Sequence, residues 1–294
     1  MHTFQCAFFL SVKLTFYDTF GTINDNTSVI KVKLLFMFKK FLALFILVPI
    51  LGFSQNTSIG NNEKLSFSAS YNVSGLLTEI AQITMETSEV KTSSATLLKL
   101  KCSATTYSSF DSYFKIRDLY ESYVSPTSLT PYLYKRDINE GTYNKFEQYK
   151  FNHKSKTVES IFRKKKKSGD VEEKKTVKIA DNTLDIVSTI YHIRNFDFKT
   201  LQPGATKKFT FLFDNEPLTI GIKYLSKETI STNLGKKECY KLAISLSDAS
   251  ILKGNNDNLL WLTADSNKIP VFAKFKIAVG SGELKIKSAT GLKN

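Results

Sequence analysis

The 294-residue chain holds only three cysteines, three histidines and one tryptophan. Cys6 lies ahead of a leader segment, so Cys102 and Cys239 are the thiols that remain after it. Two thiols can form at most one bridge, which excludes a disulfide-stapled scaffold. Both fall within strand-like runs, where a buried free thiol is equally ordinary. A Cys102–Cys239 disulfide therefore stays open at this point. His153 sits in a polar turn and His192 in a helical stretch, each without a second His, Cys or carboxylate at metal-ligand spacing. No metal site and no cofactor is expected. The chain has no Gly-x-Ser-x-Gly elbow, no phosphate-cradling glycine loop before a helix and no His-Glu-x-x-His. Catalysis is accordingly not expected.

What is present begins with residues 37–54, MFKKFLALFILVPILGFS. Lys39 and Lys40 form a charged start, and Phe41 to Leu51 an apolar run. Gly52 and Ser54 place small residues before Gln55, the pattern of a secretory signal peptide cleaved at Ser54–Gln55. The apolar run is shorter than the ~20 residues a spanning helix needs, so no transmembrane segment is expected in the mature chain. No cysteine follows the run, which argues against lipid modification. A signal of this kind normally stands at the N-terminus, so translation is expected to start at Met37, with residues 1–36 a spurious extension. Residues 55–294 are then a single mature domain, in the periplasm or secreted.

That domain carries 36 basic and 25 acidic residues. Its densest basic cluster, Arg163 to Lys167, is followed by Asp170, Glu172 and Glu173, as in a solvated hairpin tip. No nucleic-acid motif accompanies the charge, and no nucleic-acid partner is expected.

Alternation dominates the mature chain. Leu65, Phe67, Ala69, Tyr71 and Val73 take every second position with Ser66, Ser68, Ser70 and Asn72 between them, the period of a strand with one dry face. The same period recurs at Ala81–Met85, Leu98–Ala104, Phe209–Phe213, Leu218–Tyr224, Tyr240–Leu246, Val271–Val279 and Leu284–Ile286. Short turn sequences separate these runs: Asp214-Asn215, Asn233-Leu234-Gly235, Asp265-Ser266-Asn267 and Gly280-Ser281-Gly282. Connections this short make neighbouring strands antiparallel. A meander of about ten or more strands must curl or close. One stretch differs. Asp181-Asn182-Thr183 offers N-cap side chains, and Leu184, Val187, Ile190, Tyr191 and Arg194 recur at helical spacing. A single helix over about 182–195 is expected, Asp185 in its first turn and Arg194 in its last suiting the helix dipole. It packs across the apolar face of the sheet.

Several phrases, in order, resemble the DUF3108 family of exported bacterial proteins of unknown function. They are IRDLYESYV (116–124), LTP (129–131) with KRD (135–137), EGTY (140–143), IYHIR (190–194) with LQPG (201–204), GKKEC (235–239) and LTADSNKIPV (262–271). The leader ending Phe-Ser-Gln, with a Lys- and Asn-rich composition, looks like exports of the Bacteroidetes group. The resemblance transfers no catalytic residue. It implies a layout similar to the periplasmic lipoprotein-carrier fold, an unclosed antiparallel β half-barrel around a helical plug, and fold alone does not fix function. The reading that follows is a non-enzymatic periplasmic protein holding an apolar or amphipathic, lipid-like ligand. Leu184 and Tyr191 on the helix, with Phe209, Phe211 and Trp261 on strands, are the candidate lining residues, and plain core packing would use them equally well. The alternative is a structural or assembly partner of a cell-envelope protein, acting through a sheet edge or aromatic patch. A hydrolase of envelope polymers ranks third.

Overall fold

A computed structural model describes residues 55–73, 75–166, 169–248, 257–277 and 280–294. The signal segment at 37–54 and the extension at 1–36 lie outside the described residues. Residues 54–294 form one compact unit.

The alternating runs are strands, and they follow the chain as hairpins. Eight come first: β1 (Lys64–Val73), β2 (Leu76–Lys91), β3 (Thr96–Thr106), β4 (Arg117–Val124), β5 (Pro131–Glu140), β6 (Tyr143–Asn152), β7 (Thr157–Lys166) and β8 (Gly169–Lys178). The helix α1 (Ile186–Arg194) and a 3-10 turn (Phe198–Thr200) interrupt the series. Six strands complete it: β9 (Thr206–Phe213), β10 (Glu216–Thr232), β11 (Gly235–Leu246), β12 (Leu259–Thr263), β13 (Pro270–Ile277) and β14 (Gly280–Thr290). All fourteen belong to one sheet, ordered β8-β7-β6-β5-β4-β3-β2-β1-β14-β13-β12-β11-β10-β9. Every ladder between them is antiparallel. β8 and β9 are the edges, and among the described residues no ladder joins them. The fold is therefore the expected unclosed half-barrel, with more strands than the clearest sequence runs suggested.

The turns obey local chemistry. Asp214 and Asn215 both take left-handed backbone angles, φ 50° and 67°, giving the two-residue hairpin that a right-twisted strand pair requires. Asp265 ties the β12–β13 turn by accepting from the backbone N–H of Asn267 and of Lys268. The glycines at 280 and 282 depart from expectation. They lie inside β14, and residues 278–279 before them lie outside the described residues. Gly282 pairs with Phe275, and a Cβ there would sit 2.4 Å from the Phe275 ring. Close approach of a ring to the backbone, not a turn, requires that glycine.

The inner face of the sheet wraps α1. Leu65, Leu98, Leu100, Val124, Tyr134, Tyr149 and Phe151 form one buried cluster with Val187 and Tyr191 of the helix. Ile193 belongs to a second cluster, with Phe198, Tyr224, Tyr240, Leu242 and Leu262. A nine-residue helix is too short to persist in water alone, so these two contacts sustain it.

One ion pair anchors its end. Arg194 and Glu63 are both fully buried side chains. The guanidinium donates from Nη1 and Nη2 to the two Glu63 carboxylate oxygens at 2.6 and 2.7 Å. Nη2 and Nε also donate to the Asn267 carbonyl, at 3.0 and 3.3 Å. Glu63 is held in turn through its backbone, whose N–H donates to Thr87 Oγ1 and whose carbonyl accepts from Thr87 N–H. Helix end, β1 entry and the β12–β13 turn thus meet at one guanidinium. Removing one partner strands a buried charge, so Glu63→Ala is expected to cost about 3–5 kcal/mol in urea unfolding. The apolar pair Glu63→Leu/Arg194→Met should cost much less than the single change. Equal losses in the two variants would contradict this account of the clamp.

Candidate functional site: the seam of the half-barrel

The site of interest is where the sheet fails to close. The chain leaves β8 and runs toward α1 through residues 179–185. Within that segment Leu184 pairs with β9 as an isolated parallel bridge to Phe211. Its N–H donates to the Thr210 carbonyl at 3.0 Å, and its carbonyl accepts from Leu212 N–H at 2.9 Å. This overturns the expected helix start. Asp181-Asn182-Thr183 does not cap the helix, and Leu184 is extended backbone on the β9 edge, because β9 engages both of its peptide groups. The N-cap is Asp185, whose carboxylate accepts from Ser188 N–H at 2.8 Å while Ser188 Oγ accepts from Asp185 N–H at 3.0 Å. Asp185 also accepts from Ser122 Oγ of β4 at 2.5 Å, fixing the helix start to the sheet.

The far end of β9 is fixed by side chains. Asp214, in the β9–β10 turn, accepts from Arg136 of β5 and Lys145 of β6. Asn215 N–H donates to Tyr149 Oη at 2.9 Å. The Arg136 guanidinium lies 4.4 Å from the centroid of the Phe213 ring. In sheet order β5 and β6 are far from β9, so these contacts exist only because the sheet curls. Burial would raise the Asp214 pKa, but Lys145 and Arg136 outweigh it and hold the carboxyl below the usual range. The seam is closed by one backbone bridge and a polar latch.

Beneath the latch lies a grid of inward side chains. Tyr134, Tyr149 and Ser160 stand opposite one another across β5, β6 and β7, and Arg136 stands opposite Glu147 in the next row. Tyr134, Arg136, Glu147 and Ser160 are all buried, at 4 % exposure or less. Arg136 Nη2 is 2.8 Å from Glu147 Oε2, without the alignment of a hydrogen bond. Tyr134 Oη, Arg136 Nε, Glu147 Oε1, Ser160 Oγ and Asn215 Oδ1 have no hydrogen-bond partner among the described residues. Leaving a buried polar group unmatched costs about 1–3 kcal/mol, so such a concentration at one place is costly.

The residues expected to line a ligand site are distributed as follows. Leu184, Tyr191 and Phe211 are buried, at 3 %, 0 % and 2 % exposure. Tyr191 lies under Arg194, whose guanidinium carbon is 5.5 Å from the ring centroid. Phe209 stacks on Phe196 with centroids 5.0 Å apart and meets the His192 ring edge-on at 6.0 Å. Burial pushes the His192 imidazole down to about 4, so it is neutral near pH 7. Trp261, at 5 % exposure, belongs to the buried cluster that holds Val187 and Tyr191. It packs on Phe272, with centroids 4.9 Å apart, and its Nε1 donates to Glu228 at 2.7 Å. Cys102 and Cys239 are free thiols, which corrects the candidate bridge. They occupy β3 and β11, with β2, β1, β14, β13 and β12 between them in the sheet. Burial pushes their thiols up to about 12 and about 11.

Among the described residues, no group of three His, Cys, Asp or Glu is placed to hold a metal, and no helix is long and apolar enough to cross a membrane. An open polar cleft of about 600 Å³ adjoins the end of α1, lined by Asn195, Asp197, Lys199, Asp265 and Lys268. Composition and periodicity missed the latch and the grid. The signal available was parity: Arg136 lies between Tyr134 and Ile138 on the inward face of its strand, and Glu147 shares a face with Tyr149 and Phe151.

Burial raises the Asp185 carboxyl from an ordinary 3.8 to about 6, against the hydrogen bonds from Ser122 and Ser188. The folded chain keeps this proton to higher pH than the unfolded chain does. Its contribution to stability is therefore complete below pH 3.8 and lost as pH rises through about 6. The shift corresponds to about 3 kcal/mol. Asp185→Asn retains a capping oxygen without the titration, so the wild-type-minus-variant difference in unfolding free energy should fall by about 2–3 kcal/mol between pH 4 and pH 7. A difference independent of pH would contradict it.

The comparisons with known proteins follow the same lines. A β-barrel-like protein from Brucella abortus, of the domain of unknown function DUF1849, superposes with a TM-score of 0.53 at 7% identity, covering 79% of this chain and 98% of that one. A presumed exported protein of YmcC-like fold from Bacteroides fragilis gives a TM-score of 0.33 at 7% identity, covering 80% and 99%. A presumed lipoprotein from Parabacteroides distasonis gives 0.30 at 10% identity, covering 81% and 98%. At such identities the first shows the fold alone, and the other two are too distant in shape to add to it. No curated protein matches the chain. The family model for "Protein of unknown function (DUF3108)" matches residues 66–287, nearly the whole sheet from β1 to β14, and the chain belongs to that family.

Proposed function

We propose that this is an exported, non-enzymatic binding protein that takes an apolar or amphipathic, lipid-like ligand between the inner face of its half-barrel and α1. The observation that supports this reading is the seam. An interior of Leu, Tyr and Phe is closed there by one backbone bridge and a polar latch instead of a full ladder. A sheet closed by ladders all round would need several hydrogen bonds broken at once to admit a molecule. Here the release of Asp214 and Asn215, of the Leu184 bridge and of the packing of Leu212 and Phe213 would open the interior without breaking a ladder. The leader at residues 37–54 supports export, with cleavage at Ser54–Gln55, to the periplasm or beyond. Leu184, Tyr191, Phe209, Phe211 and Trp261 would line the opened space.

A second reading rests on the rim formed by the β1–β2, β3–β4 and β5–β6 connections. Five of the six exposed large hydrophobic side chains among the described residues lie there: Leu76, Leu77, Tyr113, Phe114 and Tyr143. The connections touch one another, since Tyr107 Oη donates to Glu79 at 2.7 Å and Gly141 N–H donates to the Lys115 carbonyl at 2.8 Å. A rim of this kind suits a partner protein in the envelope.

Native mass spectrometry of protein purified without detergent from its own host separates the readings. The carrier reading expects a bound lipid-like mass that organic extraction removes. Recovery of only empty protein, with no thermal shift from any lipid offered, together with a stable co-purifying protein lost in Tyr113→Ser/Phe114→Ser, would favour the second.

A further inference from the structure

We propose that the grid under the latch is the anchoring site for the head of the ligand, and that this head is uncharged and carries several hydroxyl groups, as in a glycerol or sugar ester. This rests on the reading of the half-barrel interior as a ligand site. Of the eight buried side-chain polar atoms without a hydrogen-bond partner among the described residues, six lie in this grid. They belong to Tyr134, Arg136, Glu147, Ser160 and Asn215, which three adjacent strands and the latch bring to one place. Tyr134 and Tyr149 belong as well to the apolar cluster that contains Tyr191 and Val187, so the grid borders the apolar interior. A ligand spanning both must be amphipathic.

The chemistry of the open positions selects the head. Glu147 Oε1 and Asn215 Oδ1 only accept, Arg136 Nε only donates, and the Tyr134 and Ser160 hydroxyls do either. The charges cancel, with Arg136 and Lys145 against Glu147 and Asp214. A phosphate or carboxylate offers acceptors alone and would sit against the Glu147 carboxylate. An ammonium offers donors alone and would sit against Arg136. Hydroxyl groups donate and accept, and so can satisfy both kinds of position without adding charge to a buried site. Release of the Asp214–Asn215 turn uncovers the grid, which makes the latch the entrance for the head.

Three probes with one acyl chain and different heads test this: monoolein, oleate and oleylamine, each offered to the leader-free chain and counted by native mass spectrometry. Monoolein should be retained with a preference of about tenfold over either charged probe, a margin that two hydrogen bonds supply. In Tyr134→Phe/Ser160→Ala that preference should fall to about threefold or less, while the ligand-free variant melts no lower than the wild type, because the hydroxyls removed had no partner. Equal retention of the three probes would overturn the hydroxyl head and leave the apolar-ligand reading standing. Retention of none would overturn both. Ordered waters that stay on these atoms in a monoolein-bound crystal structure would also overturn the anchoring site.

Discussion

The buried pair of Arg194 and Glu63 is the contact on which the arrangement turns. A buried ion pair is a poor source of net stability, since desolvation offsets most of the attraction. Its value here is geometric. A guanidinium fork fits a carboxylate in one orientation, and the leftover donors are taken by the Asn267 carbonyl. The helix end can therefore lie at only one place over the entry to β1, near the middle of the strand order. With that end fixed, Asp185 reaches Ser122 of β4 at the other end. The chain leaving the helix is then delivered to the edge where β9 begins.

Two kinds of closure coexist in this sheet. From β8 through β1 to β9 every neighbour is joined by a ladder, and a sheet of that length curls under its own twist. Across the gap between its ends, Leu184 supplies the backbone pairing found among the described residues, Asp214 and Asn215 supply polar contacts, and Phe213 and Leu212 pack against Arg136 and the apolar cluster. Regions held by few contacts open at lower free energy than the body of a domain, and ligand sites are drawn from them. The unmatched polar atoms of Glu147, Ser160 and Tyr134 sit beneath that weak line. Leaving such atoms unmatched in a buried place costs about 1–3 kcal/mol each.

Much of the fold was legible because period-two alternation depends on strand geometry alone. Leu98–Leu100–Cys102 and Tyr240–Leu242–Ile244 read as strands and are strands. Asp214-Asn215 read as a two-residue turn for the same local reason. The helix was legible in position and misread at its start, since whether Leu184 winds or extends is decided by β9, which lies beyond it in sequence. The glycines at 280 and 282 misled because a close ring contact and a turn call for the same residue. The polar grid was hidden for another reason. Arg136 and Glu147 look like surface residues until the strand parity is counted and the curl places β9 above them. Cys102 and Cys239 could not be assigned as paired or free without the strand order that separates them.

Family membership in DUF3108 and the half-barrel shape constrain function without naming it. What discriminates is whether the seam opens while the sheet stays folded. Native-state hydrogen exchange followed by mass spectrometry measures this directly. The account predicts that the amides of Leu184 and Leu212 exchange at least about tenfold faster than those of β1 and β2, through openings insensitive to low denaturant. Exchange of Leu184 and Leu212 only by the global unfolding that releases β1 and β2 would contradict it.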